Sequence, residues 1–227
     1  MDYKETILMI ESLKNPKNVA QMARFGIRPK TKVYGVPVPE LRRISRIIKK
    51  DHNLALKLWD SKIHEARVLA GMIADADKLT VEQTERWVKD FDSWDVCDQT
   101  CMNLLCRSKT ANKQIAGFSK RKEEFVKRTA FALMAALAVH DKKMNNKDFV
   151  RFFPLIKKAS NDERNFVKKA VNWALRQIGK RNKKLNAEAI KVAREIQKIN
   201  SKSAKWIASD AIRELTSEDM QKRFLLR

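Results

Sequence analysis

Glycine and proline are scarce, five of each in 227 residues. Hairpins and bulges consume glycine, so a chain with this little turn chemistry is not built on sheets. No long hydrophobic run is present either. The best candidate, AFALMAALAV at Ala130–Val139, falls well short of the roughly 18 residues of a membrane span. The amino terminus MDYKETILMIE is too charged for a signal peptide, so a cytoplasmic protein without membrane partners is expected. Only three cysteines occur, Cys97, Cys101 and Cys106, all within ten residues, which argues for reduced thiols and against a disulfide framework. Their Cys-x3-Cys-x4-Cys spacing fits neither a zinc knuckle nor an ordinary iron-sulfur run. His52, His64 and His140 are scattered, and there is no glycine-rich phosphate loop. No metal and no cofactor are therefore expected. No lysine stands out as a desolvated Schiff-base former, which leaves a strand-cleaving lyase activity without support.

What the chain has in abundance is positive charge. Lys and Arg number 49 against 27 Asp and Glu, a formal net charge of +22. Such a field attracts polyanions, and nucleic acid is the first partner to consider, with nucleoid association as the corollary. A solvated basic surface, or a scaffold for acidic peptides, would satisfy the same charge balance. Anionic membrane fits less well, because the cations are spread over many segments and not gathered on one amphipathic helix.

Apolar periodicity predicts helix after helix, over roughly 3–13, 16–24, 39–49, 53–60, 62–76, 80–91, 94–106, 110–118, 122–139, 145–158, 162–179, 184–198 and 203–215. The segment RPKTKVYGVPVPELRR reads as a loop, with Pro39 suited to the start of the next helix. FVKRTAFAL at 125–133 is echoed by FVKKAVNWAL at 166–175, 41 residues on, with weaker echoes in EARVLAGMIA at 65–74 and SAKWIASDAI at 203–212. A period near 40 predicts paired-helix repeats of the HEAT type, an all-α superhelical solenoid forming a single domain over 1–227, with a concave basic face. The ladder Arg67, Arg128, Lys169 and Lys205 would line that face, and each rung could equally bridge neighbouring repeats.

Against this background KDFDSWDVCDQT, residues 89–100, is anomalous, because it sets three carboxylates around a tryptophan. Asp92 and Asp95 are expected to cap the helix that starts near Trp94 and to complement its dipole, with Ser93 as an alternative cap. Asp98 lies a turn too deep for that role. Trp94, Asp98, Cys101 and Leu105 fall on one helical stripe. An unpaired carboxylate there would be costly, so a structural ion pair with an Arg such as Arg128 competes with a catalytic role. Trp59, Trp87 and Trp206 are expected to pack in the interior. Trp173 has Lys169 and Arg176 on its own helical face, which sets this indole in a basic stripe.

The succession YGVPVPELRRI, SWDVCD, FVKRTAFAL and FVKKAVNWALRQIGKRN resembles the DNA alkylation repair enzymes of the AlkD type, a family of HEAT-like-repeat DNA glycosylases. The likeness covers most of the chain and is most specific in the two Trp-bearing helices and the Gly-Val-Pro-x-Pro loop. It implies a lesion site made of Trp94, Asp98, Arg128 and Trp173, and a family able to act on the lesion while it stays stacked. Members of the same fold that lack the aromatic and acidic residues are implied to be silent binding modules, so a catalytically silent nucleic-acid-binding or scaffold protein remains the alternative.

The chemistry asked of those residues follows from the substrate. A purine alkylated on a ring nitrogen is cationic and leaves without protonation, so one carboxylate suffices where sugar hydrolases need two. Asp98 would stabilise positive charge developing on the deoxyribose and orient water. Indole faces attract cations by about 0.5 to 2 kcal/mol, which suits Trp94 and Trp173 as walls. The expected substrate is double-stranded DNA carrying 3-methyladenine, 7-methylguanine or bulkier adducts, bound by a monomer. Arg128 would take a phosphate or hold Asp98 ionised. Lys127, Lys168, Lys169, Arg176, Lys180, Arg181, Arg67 and Lys205 would grip phosphates without reading sequence.

Overall fold

The computed structural model of the chain describes residues 1–225. Helices follow one another through both of its compact units, Met1–Ala111 and the part from Asn112 onward. Among the described residues the one departure from helix and loop is an isolated bridge between Lys32 and Ile63.

The first unit holds α1 (Tyr3–Ser12), α2 (Pro16–Arg24), α3 (Val38–Ile48), α4 (His52–Asp60), α5 (His64–Ile73), α6 (Val81–Lys89) and α7 (Trp94–Asn103). Their starts follow local chemistry. Asp2 and Glu5 form a reciprocal capping box on α1, and Asn15 caps α2 ahead of Pro16. Asp51 and Thr80 accept from Leu54 N and Gln83 N to begin α4 and α6. Bonds between these helices recur at one separation in sequence. Tyr34 to Glu65, His52 to Gln83, Trp59 to Asp90 and His64 to Asp95 all span 31 residues. A fixed separation is the signature of a repeating unit stacked on its neighbour. The core of the unit is the Trp59–Trp87 stack, with centroids 4.0 Å apart and planes 3° from parallel. Both indoles are fully buried, as the sequence predicts.

After α8 (Lys109–Phe118) the second unit continues with α9 (Glu124–His140), α10 (Asn146–Val150), α11 (Phe153–Ala159), α12 (Asn165–Gly179), α13 (Lys183–Gln197), α14 (Lys202–Leu215) and α15 (Glu218–Leu225). Here the recurring separation is 38: Arg128 to Phe166, Lys157 to Glu195, Asn172 to Asp210 and Arg176 to Glu214. The repeated phenylalanines of the two FVK segments, Phe125 and Phe166, stack at 5.6 Å. α12 is the central helix, packed against α9, α13 and α14. Its end at Gly179 leaves no room for a side chain, since an added Cβ would lie 2.8 Å from Leu215 and 2.9 Å from Ala189.

The structure departs from the expected boundaries in several places, among them α5, expected over 62–76, which spans His64–Ile73. α7 ends at Asn103, and Leu105 belongs to a short 3-10 turn, because Leu104 turns out of helical geometry at φ −125° and ψ −63°. The helix expected over 145–158 is two helices, broken around Arg151 and Phe152 ahead of Pro154. Apolar periodicity does not mark α15, which follows Thr216 and Ser217.

Candidate nucleic-acid interface and catalytic carboxylate

The three acids around Trp94 do different work. Asp92 does not cap α7. Its Oδ2 accepts from the backbone N–H groups of Lys30 and Thr31 at 2.9 and 3.3 Å, tying α7 to the loop after α2. Ser93 occupies the N-cap position without a side-chain capping bond. Asp95 lies in the first turn, as a dipole argument predicts, but its main partner is His64 Nε2 at 2.8 Å. His64 is 2% exposed. Burial works to lower the His64 pKa, yet the bond and charge of Asp95 outweigh it and leave His64 above its ordinary value. Burial likewise works against the Asp95 charge, and His64 overcomes it, so Asp95 sits below the usual carboxylate range.

This pair gives a testable pH dependence. With its pKa raised on folding, His64 contributes stability fully below about pH 6.5 and loses it as pH climbs through the raised value. The lowered Asp95 contributes above about pH 3.9 and loses its share as pH falls through the depressed value. The melting temperature should therefore decline as pH rises above about 6.5, and His64→Gln should lack that decline. Glu65 and Asp92, the other acids acting on His64, remain in the variant. A wild-type melting temperature that is flat across neutral pH would show that the pair does not titrate with folding.

Asp98 stands one turn further along, half-buried on the same side of α7 as half-buried Trp94. The Trp94 indole N–H donates to the Phe25 carbonyl at 3.1 Å, which fixes the ring against the end of α2. Below Asp98 the stripe runs into the interior at Cys101 and Leu105. Burial, the neighbouring Cys97 and the charge of Asp98 together push the Cys101 thiol well above its ordinary value, so it stays protonated and unreactive.

The expected cationic ladder needs correction. Arg67 is 8% exposed, and its guanidinium donates to the carbonyls of Trp59 and Asp90 and lies 5.5 Å from the Trp59 ring. It staples α4, α5 and the end of α6 and is not presented to a polyanion. Arg128 is 5% exposed and donates to the Phe166 carbonyl. Lys127 pairs with Asp162 at 2.8 Å. Burial works to raise the Asp162 pKa, but bonds from Arg164 and Lys127 hold it far below the usual range. Arg176 and Lys180 pair with Glu214 at 2.7 and 2.8 Å. Arg181 donates to the carbonyls of Ala138 and Met144 and lies 4.6 Å from the Phe149 ring. Acids and carbonyls of adjoining helices thus absorb much of the charge that sequence assigns to a ligand.

Lys169 and Lys205 are exposed, and half-buried Lys168 lies over the Trp206 ring at 5.6 Å. Trp206 is 41% exposed, which corrects its expected core placement. Aligning FVKK with SAKW sets Trp206 opposite Lys169 in the repeat, the signal that could have marked it as a surface residue. Trp173 is half-buried on α12, its N–H donating to the Gln177 side-chain oxygen at 3.2 Å in the amide orientation that satisfies both groups. The second unit therefore shows a basic surface with an exposed indole, a combination suited to phosphates and stacked bases. Among the described residues no helix is long and apolar enough to cross a membrane.

Residues 7–215 match the family described as DNA alkylation repair enzyme. A solved structure described as a new family of proteins related to the HEAT-like repeat DNA glycosylases with affinity for branched DNA structures superimposes with a TM-score of 0.77 at 18% identity, covering 94% of this chain and 95% of that one. The fold is thus the HEAT-like repeat fold. Two uncharacterized Listeria proteins are similar over shorter stretches. Lmo0209 of Listeria monocytogenes serovar 1/2a is 30% identical over 80 residues, 34% of this chain and 36% of its own length. Lin0241 of Listeria innocua serovar 6a is 28% identical over 88 residues, 37% and 39% of the two chains. The match thus spans little more than a third of each of these relatives.

Proposed function

Because the chain belongs to the DNA alkylation repair enzyme family, we propose that it is a monofunctional DNA glycosylase that releases cationic N-alkylated purines from duplex DNA. The observation that carries this reading is Asp98, a half-buried carboxylate one helical turn from a half-buried indole on the apolar stripe of α7. Trp94 and Asp98 supply the chemistry. The resemblance implies supporting roles for Trp173 and, as a buried residue and not a phosphate ligand, for Arg128; Lys168, Lys169 and Lys205 would hold phosphates.

In the reaction, water adds to C1′ of the deoxyribose as the bond from C1′ to the base nitrogen breaks. The bonding electron pair leaves with the base, which departs neutral because the alkyl group had made it a cation. Asp98 faces the positive charge that develops on the sugar and accepts a hydrogen bond from the attacking water, whose O–H bond breaks as the new C–O bond forms, the proton passing by way of the carboxylate to solvent. No general acid is required, and the lesion can react while it stays stacked. The product is an abasic site in an unbroken strand.

The test is incubation with DNA that carries methylated purines, with analysis of the free bases. Release of 3-methyladenine and 7-methylguanine is expected. Uracil and hypoxanthine should stay attached, because as neutral bases they need protonation or a tight base pocket to leave. Release of uracil at a comparable rate, or a broken strand trapped as a borohydride adduct, would overturn this assignment. No base release at all would favour a silent binding module, consistent with the branched-DNA affinity attributed to the structural relative.

A further inference from the structure

The first unit contains a cavity of about 300 Å³ beneath α2, bounded by α3, α5, α7 and the loop residues Gly35, Val36 and Pro37. Polar bonds fix the positions of the loop, α2 and α7 that wall it. Glu65, 1% exposed, accepts from the N–H groups of Tyr34, Gly35 and Val36, and so fixes the loop. Gly35 has φ +78°, and a Cβ there would lie 2.3 Å from the Asn15 carbonyl, so the loop presses against the start of α2. Asn15 N–H donates to Tyr34 O at 2.8 Å, and Asn18 Nδ2 donates to Gly35 O at 3.0 Å. The far end of α2 is fastened by the Trp94 indole N–H on Phe25 O. Between these two fastenings α2 buries none of its residues fully, although it is amphipathic. The helix spans the cavity instead of filling it.

The lining is specific in what it offers. Half-buried Trp94 supplies aromatic surface inside, Phe25, 73% exposed, stands at the rim, and Val36, Leu41 and Val68 supply aliphatic walls. The polar groups are the Asn18, Gln21 and Gln99 amides, the Glu65 carboxylate that the loop N–H groups engage, and the His64–Asp95 pair. Among the described residues, His64 Nδ1 and Asp95 Oδ1 are buried without a hydrogen-bond partner. No lysine or arginine lines the cavity, in a chain that carries 49 of them. A phosphate would find no uncommitted cation there, since His64 is already held by Asp95, and would meet the carboxylates of Glu65 and Asp95. The volume stands at the low end of small-molecule sites. Paired amide donors and acceptors are the groups that read the edge of adenine in two bonds, and aromatic walls are what a base stacks on.

We propose that this cavity is a binding site for a free purine base, selected over its nucleotide. The site does not depend on the glycosylase reading, since base binding is measured without DNA.

The test is calorimetric titration of the intact chain with adenine and, separately, with adenosine 5′-monophosphate. Saturable adenine binding is expected, with the monophosphate at least about tenfold weaker because it brings two negative charges to a site that has two carboxylates and whose one imidazole is already paired with Asp95. Val68→Phe, which fills the cavity from α5, should abolish adenine binding while leaving affinity for undamaged duplex unchanged. Should that variant fail to fold by thermal melting, the paired change Gln21→Leu and Gln99→Leu removes the polar edge from less buried positions, and should weaken adenine at least about tenfold. No saturable binding up to the solubility limit of adenine, equal binding of the monophosphate, or binding unaffected by the folded variants would each overturn the proposal. Base release from methylated DNA is scored in a separate assay, so a failure here is not confused with a failure of the enzymatic assignment.

Discussion

Asp98→Asn should lower release of 7-methylguanine from methylated duplex by on the order of 10² to 10³-fold, the loss that follows removal of one preorganised electrostatic group facing transition-state charge. The amide keeps the size of the carboxylate and removes its charge. On the catalytic reading the melting temperature and the affinity for duplex should stay close to those of the parent. A structural carboxylate would give the opposite pattern. Loss of one partner from a buried ion pair costs several kcal/mol of stability and need not alter the rate per folded molecule. The two readings are therefore separated by measuring single-turnover rate and thermal melting on the same preparation. A large drop in melting temperature with full activity would remove Asp98 from the mechanism. The charge of Asp98 also helps to hold the Cys101 thiol up, so the variant should make that thiol slightly more acidic, and its burial should still keep it inert.

Affinity for undamaged duplex should fall by about 10³ to 10⁵-fold between 50 and 200 mM salt if six to ten phosphates are neutralised. The structure bears on where in that range the result should lie. Lys127, Arg176 and Lys180 are paired with acids, and Arg67 and Arg128 are spent on carbonyls of the protein. These groups release few counterions on binding, so the slope should reflect exposed lysines such as Lys169 and Lys205 and not the whole formal charge of +22. Replacing Lys169 and Lys205 together with Gln should flatten the slope by about two phosphates. The same change at Arg67 should leave the slope alone and lower stability. An affinity indifferent to salt would show that the ligand of the basic surface is not a polyanion.

Most helices were legible from apolar spacing alone, because a helix buried on one side must repeat its apolar residues every three or four positions. Pro16 and Asn15 mark the start of α2, and Lys202–Leu215 was foreseen within a residue. What the spacing does not carry is the identity of the neighbour. Arg67 and Lys169 occupy similar places in their local sequences, yet one lies under Trp59 and the other faces water. The outcome depends on which helix stacks above each, a matter of long-range packing. Trp206 was misplaced for the same reason. An indole has one composition whether it packs or projects, and Lys168 from the previous repeat covers only part of it. At the candidate site, periodicity put Trp94 and Asp98 on one face, while the work of Asp92 and Asp95 was hidden because their partners lie 62 and 31 residues away. The cavity was invisible to sequence altogether, since it is a space left between elements.

The bonds at constant separation, 31 residues in the first unit and 38 in the second, have a kinetic meaning. Each closes a loop of moderate length and joins a repeat only to the next one, so the entropy of closure rises by small steps and no contact must wait for distant ends to meet. Order can begin at any adjacent pair of helices and spread by zippering within its unit. Opening can proceed from an end in the same stepwise manner. A helix with no fully buried residue, as α2 is, is the natural place for such an opening to begin, and its release would cost far less than unfolding the Trp59–Trp87 stack of the same unit.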